Sequence, residues 1–340
     1  MTRSQAGRQR LWTWATLFML TLAAANTLIA GLEPRLQPMS SQDTPGSVNR
    51  ARNLLGSGPR PDVLFMGSSL TNFGLDPRVA ERAMARAGLS LKSAMNVGVL
   101  AGNIDINYLL LKNVIREEAK PRVIVYGISD YELNSLVVDD EARLRLMSPL
   151  LRLDDYDQYS GHGLRDKAHF LLDRLLPVYR DHQLVHDVID PPPNPPRNVE
   201  PTYRGFYGIP PRSRFATWTD ATAFEGILRP YVFTGRQLNR MREFLSLAHA
   251  RQIDVVLVNM PATSLHRSYW SSPADVDRYV QMVGSLAAGA HVPLLEMYRD
   301  AENRIPPEDY SDSHHLNEAG AAVLTELVTT RYLIPALIRR

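Results

Sequence analysis

Four short apolar runs constrain the fold of this chain most strongly: Asp62-Val-Leu-Phe-Met66, Val123-Ile-Val-Tyr126, Ile253-Asp-Val-Val-Leu-Val258 and Val292-Pro-Leu-Leu-Glu-Met297. Each is strand-length and nearly continuous in hydrophobicity, the pattern of a strand buried on both faces, which is the habit of parallel sheets. Ser93-Ala-Met-Asn-Val97 adds a fifth. Helical periodicity fills the intervals: Asp76-Pro77 opens a helix ending at Gly88 with Val79, Ala83 and Ala87 on one face, and Ile104 to Ala119 carries Tyr108, Leu111, Val114 and Ile115 on one side. Gln237 to Gln252, Pro273 to Ala288 and a segment from Asn317 onward also read as helices. Strands alternating with helices specify an α/β chain, a three-layer α/β/α sandwich around a mostly parallel, doubly wound sheet. Ligands of such sheets sit beyond the carboxyl ends of the strands, so the residues after Met66, Val97, Tyr126 and Val258 are where chemistry is expected.

The N-terminus has a different character. Leu11 to Leu32 contains no charged residue, and at about 1.5 Å per residue it can cross a bilayer core of roughly 30 Å. Arg3, Arg8 and Arg10 precede it, which places the start on the cytoplasmic side and everything afterwards outside, with Trp12 and Trp14 at interfacial positions. It reads as a membrane anchor, or as a signal peptide cut near Ala23-Ala24-Ala25. The formal charge of +2 includes those three arginines, so the remainder is close to neutral and lacks the clustered basic face of a nucleic-acid binder. With no cysteine, the chain has no disulfide, thiolate metal site, iron–sulfur cluster or cysteine nucleophile.

The domain organisation expected is therefore an anchor or signal peptide over 1–32, a Pro-, Ser- and Gly-rich linker over 33–60, and a flavodoxin-like body over 61–340 interrupted by an insertion at about 131–234. The insertion holds Pro191 to Pro196, which excludes helix and inner strand there. Its Tyr203, Phe206, Tyr207, Phe215 and Trp218 either pin the excursion to the body or line a substrate groove. His162, His169, His182 and His186 fall within it without a His-Glu-x-x-His pattern, so no metal site is expected. No phosphate-cradling glycine motif is present, and no nucleotide or redox cofactor is implied.

Gly67-Ser68-Ser69-Leu70-Thr71 directly follows the first strand. A serine at such a strand-to-helix turn presents its hydroxyl beside free helix amides, making Ser69 a candidate nucleophile. Near the C-terminus, Asp312 stands three residues before His315, a spacing at which the carboxylate can hold one imidazole nitrogen while the other faces a hydroxyl. Asp312 and His315 can equally serve to cap the last helix, and His314 is a competing base.

Together these segments resemble the SGNH, or GDSL-type, hydrolase family. Gly67-Ser68-Ser69-Leu70 is similar to its first block with Ser68 in place of the usual Asp; Gly98 in Asn96-Val-Gly98 matches the second; Asp312 and His315 match the last. The third block departs, because Gly127-Ile128-Ser129-Asp130 lacks the expected asparagine. The resemblance implies a Ser69–His315–Asp312 triad, with an oxyanion hole from the amides of Ser69 and Gly98. Ser129 would stand in for the asparagine, or Asn103 or Asn72 would enter from a neighbouring loop. It also implies an exported esterase or O-acyltransferase acting on acyl esters of an envelope or secreted glycan, alongside a membrane-bound acyltransferase. A lipid or small-ester hydrolase, or a catalytically weak glycan-binding subunit, are the alternative expectations.

Overall fold

The computed structural model of the chain describes residues 3–36, 44–57, 60–89, 92–136, 203–210, 226–299 and 301–339, with a few single positions between 147 and 176. Two compact units are present, one comprising 1–40 and 153–198 and the other comprising 41–152 and 199–340. In the first, helix α1 (Arg3–Leu36) holds the apolar stretch Trp12–Ile29, long and apolar enough to cross a membrane. Trp12, Trp14, Leu17 and Phe18 are exposed on it.

The second unit contains the sheet. Strands β1 (Val63–Gly67), β2 (Ala94–Asn96), β3 (Val123–Ile128), β4 (Asp254–Asn259) and β5 (Leu294–Glu296) are all parallel, in the order β2-β1-β3-β4-β5. This is the expected doubly wound order, whose reversal point lies between β1 and β3. Alternate side chains serve the two faces. Val63, Phe65, Val123, Val125, Val256 and Val258 share one core with Ala80 and Met84 of α4 (Pro77–Arg86) and Leu324 and Val328 of α9 (Glu318–Val328). On the other face Tyr126 packs edge-on against Phe244 of α6 (Arg236–Ala250) at 5.0 Å, and α6 packs on α5 (Ile104–Leu109). The remaining helices are α2 (Thr44–Ser57), α3 (Ser69–Gly74), α7 (Ser264–Arg267), α8 (Pro273–Gly289) and the C-terminal α10 (Ile334–Ile338).

Two elements differ from the expectation. Thr44–Ser57, inside the segment read as a linker, is helical, and Ser47, Val48, Asn49 and Ala51 are buried on it. Arg50 on its surface donates to the Tyr207 hydroxyl at 2.7 Å and to the Gly98 carbonyl at 3.1 Å. Packing produces a helix here that its Pro45, Gly46 and Gly56 would not form unaided. The helix expected from Ile104 to Ala119 ends earlier, in a wide turn over Leu110–Val114. The carbonyls of Leu111 and Ile115 accept instead from the Arg251 guanidinium, at 2.5 and 2.7 Å, which satisfies the helix end from outside. Pro191 to Pro196, Phe215, Trp218, His162, His169, His182 and His186 lie outside the described residues.

Candidate active site

The register Gly67↔Gly127 brings the ends of β1 and β3 side by side, so the turns that follow them, Ser68-Ser69 and Ser129-Asp130-Tyr131, are neighbours. Gly67 has φ +143°, and a Cβ there would approach Thr71 Oγ1 to 2.3 Å, so the sharp exit from β1 requires glycine. Ser68 then caps α3, its hydroxyl accepting from the Leu70 amide at 3.3 Å. Serine and aspartate are both strong N-caps, which accounts physically for serine at this position of the first block. Ser69 opens α3 half-buried, with its own amide at the helix end where no intrahelical acceptor exists.

Ser69 Oγ lies 2.9 Å from His315 Nε2, and His315 Nδ1 lies 2.7 Å from Asp312 Oδ2. With its proton on Nδ1 donated to Asp312, the imidazole accepts from the serine hydroxyl. Asp312 Oδ1 also accepts the amides of His314 and His315 at 2.9 and 2.7 Å. Burial opposes the Asp312 charge, but the adjacent His315 and these amides outweigh it, so its carboxyl lies well below the usual carboxylate range. The loop is closed by Ser311 donating to the His315 carbonyl at 2.8 Å and by Thr263 Oγ1 donating to the Ser313 carbonyl at 2.7 Å. Asn317 caps α9 through the amides of Ala319 and Gly320, as its position before the last helix implied. Phe73 meets the His315 ring edge-on at 5.2 Å, and Tyr207 stands 6.4 Å from Phe73.

His314 Nδ1 lies 3.1 Å from Ser313 Oγ, while His315 is the histidine bonded to Ser69. His314 is buried, with its ring 4.0 Å from His315 and 4.9 Å from His266. Burial and the two neighbouring imidazoles hold its pKa well below the ordinary histidine value, so it stays neutral and is poorly suited to act as base. Asp312, His314 and His315 bring possible metal ligand atoms within 4.8 Å of one another. Both His315 nitrogens and both Asp312 oxygens are already engaged in the serine-directed line.

The expected oxyanion donors fare unequally. The Gly98 amide donates to Asn96 Oδ1 at 2.9 Å, so it is not a free donor here. Its glycine is instead required by close approach, since a Cβ would meet the Asn72 nitrogen at 2.6 Å. Asn103 caps α5, accepting from Ile106 at 3.1 Å. Asn72 Nδ2 donates to the carbonyls of Gly98 and Gly205. Both asparagines thus hold loops in place. The amide of Ser69 remains, together with Ser129 Oγ, buried and without a well-formed hydrogen bond. Asn96 was not singled out from sequence, yet its Nδ2 donates to the Thr71 and Leu75 carbonyls at 2.8 and 2.7 Å and fixes α3 to β2.

The turn after β3 is held by residues that no sequence motif marks. Asp130 Oδ2 accepts from Tyr298 at 2.5 Å and lies 2.8 Å from His266 Nε2, all three buried, while the Asp130 carbonyl accepts from Tyr231 at 2.7 Å. Glu132 receives the Ser129 amide at 3.1 Å and the Tyr126 hydroxyl at 3.2 Å. Burial pushes its carboxyl up to about 8. The folded protein therefore keeps this proton to about pH 8, whereas the unfolded chain loses it near the ordinary value of about 4.3, so stability falls as pH rises through that window. Glu132→Gln should flatten the decline in melting temperature between about pH 4.5 and 8; a decline as steep as wild type would contradict this.

Of the excursion's aromatics, Tyr203 and Phe206 are pinned to the body: the Tyr203 hydroxyl donates to Glu81 at 2.9 Å, and the Arg204 carbonyl accepts from Asn96 at 3.0 Å. Among the described ones, Tyr207 stands by the site, next to the Phe73 ring that meets His315.

No family model matches the chain, and no curated protein matches it. Among solved structures, it is similar to a lipase/acylhydrolase from Enterococcus faecalis, at 13% identity and TM-score 0.40, covering 80% of this chain and 96% of that one. It is also similar to a GDSL-like lipase from Bacteroides thetaiotaomicron, at 10% identity and TM-score 0.39, covering 86% and 99%. An acetylxylan esterase from Geobacillus stearothermophilus is similar at 11% identity and TM-score 0.39, covering 82% and 97%.

Proposed function

We propose that the chain is a serine esterase of the SGNH type that works through Ser69, His315 and Asp312. The observation that carries this reading is the continuous line from Ser69 Oγ through both His315 nitrogens to Asp312, at 2.9 and 2.7 Å. As Ser69 Oγ bonds to an ester carbonyl carbon, its proton passes to His315 Nε2, and Asp312 stabilises the imidazolium. The Ser69 amide and Ser129 are the available donors to the oxyanion. Collapse releases the alcohol, which takes the proton from His315, and leaves an acyl group on Ser69. Water, or the hydroxyl of a second sugar, then accepts that acyl group by the same steps reversed.

The substrate proposed is an acyl ester on a cell-envelope or secreted glycan, with the body held outside the cytoplasm by α1. Arg3, Arg8 and Arg10 before the apolar Trp12–Ile29 stretch support that orientation. Outside the cytoplasm, acyl-CoA is out of reach, so transfer would draw on a membrane-bound acyltransferase or another exported ester. Two measurements test the reading. The purified protein should release acetate from an acetylated polysaccharide, and inertness towards every ester would overturn the enzyme assignment. Alkaline phosphatase fused after Arg340 should be active; a bright cytoplasm-dependent fluorescent fusion with inactive phosphatase would return the body to the cytosol.

A further inference from the structure

The site has more donors than the sequence blocks account for. Tyr131 follows Asp130 in the turn beyond β3, is half-buried, and has its phenol beside the side chains of Ser68, Ser129 and the nucleophile Ser69. Its backbone is fixed by its amide donating to Asp130 Oδ1 at 2.9 Å, on the same carboxylate that Tyr298 and His266 hold from the core. The neighbouring Ser129 Oγ is buried without a well-formed partner, and the Gly98 amide and the Asn72 side-chain amide are engaged elsewhere. An oxyanion forming on a carbonyl at Ser69 thus meets a hydroxyl pair, Tyr131 and Ser129, where the third block lacks asparagine.

Building on the serine-ester reading, we propose that the Tyr131 hydroxyl is an oxyanion donor, with Ser129 Oγ beside it, and so is a catalytic residue of this chain. When the Ser69 oxygen bonds to the carbonyl carbon, the C=O π pair moves to oxygen, and the Tyr131 O–H donates to that oxygen while its proton stays on the phenol. A donor held by a clamped turn needs no reorganisation as charge develops, which is where such groups contribute most. Burial pushes the Tyr131 phenol up to about 12, so it remains protonated across the working pH range.

The test compares wild type, Tyr131→Phe and Ser129→Ala in the full chain, using an aryl acetate and a fluorophosphonate. Tyr131→Phe should lower kcat about 100- to 1,000-fold with KM nearly unchanged, slow fluorophosphonate labelling similarly, and leave the melting temperature near wild type. Ser129→Ala should lose less. A Tyr131→Phe enzyme with kcat within about threefold of wild type, or with its loss in KM alone, overturns the inference. Should that variant fail to fold, 3,5-difluorotyrosine at 131 decides: the more acidic phenol should move the alkaline loss of kcat to lower pH, and an unmoved profile overturns the inference. An active wild type beside an equally active Tyr131→Phe removes this inference alone, whereas an inert wild type removes the esterase reading with it.

Discussion

Replacing Ser69 with alanine is expected to lower ester turnover on the order of a million-fold while leaving the fold intact. The side chain sits half-buried at the start of α3, with its hydroxyl at His315 Nε2 and beside the Tyr131 phenol, so removing one hydroxyl opens no core cavity. Stability should stay within about 0.5 kcal/mol of wild type, as for other substitutions away from packed groups. The loss is large because the variant lacks the atom that forms the acyl intermediate, and what survives comes from binding and oxyanion stabilisation alone. Kinetics with an aryl acetate, alongside thermal melting, check both halves. Retention of even a tenth of wild-type turnover would mean that another group carries the reaction.

His315→Ala should fall to about the same level as Ser69→Ala, and the double variant should be little worse, since triad members act as a unit. Asp312→Asn should lose about ten-thousand-fold, because the amide can no longer fix the imidazole with its proton on Nδ1. His314→Ala behaves differently on this account. That ring lies in the core against His266 and His315, so its removal should lower stability by about 1–3 kcal/mol and leave kcat within about tenfold of wild type. An inversion of the two histidine results would place the base at His314. The charged state of Asp312 also gives a pH signature. Its folded pKa is depressed, so its contribution to stability is complete above the ordinary carboxylate value of about 3.9 and is lost as pH falls below it. Acid melting of Asp312→Asn should lack this component.

The sheet was legible because its strands are buried on both faces: short apolar runs such as 62–66 and 253–258, set between helical segments, match strands of a covered parallel sheet. α4 and α9 were legible from their caps, Asp76 and Asn317, whose side chains bond helix amides where expected. What stayed hidden depends on contacts distant in sequence. α2 has poor local propensity and exists through buried Val48 and Ala51 and the reach of Arg50 to Gly98 and Tyr207. The early end of α5 depends on Arg251, more than 130 residues away. In the candidate site, the turn after β1 marks Ser69, and the three-residue spacing of Asp312 and His315 ahead of α9 marks that pair. The engagement of Gly98 by Asn96, and the Asp130–His266–Tyr298 clamp, were not legible, because an amide's freedom and a buried carboxylate's partners are properties of the packed state.

The account's central claim is that Ser69 is an activated nucleophile, and covalent labelling tests it most directly. The purified wild-type chain, treated with a fluorophosphonate and measured by intact mass and then by peptide mapping, should carry one adduct, located on Ser69. His315→Ala should remain unlabelled under the same conditions. An unmodified wild type, or an adduct confined to any other residue, would contradict the claim.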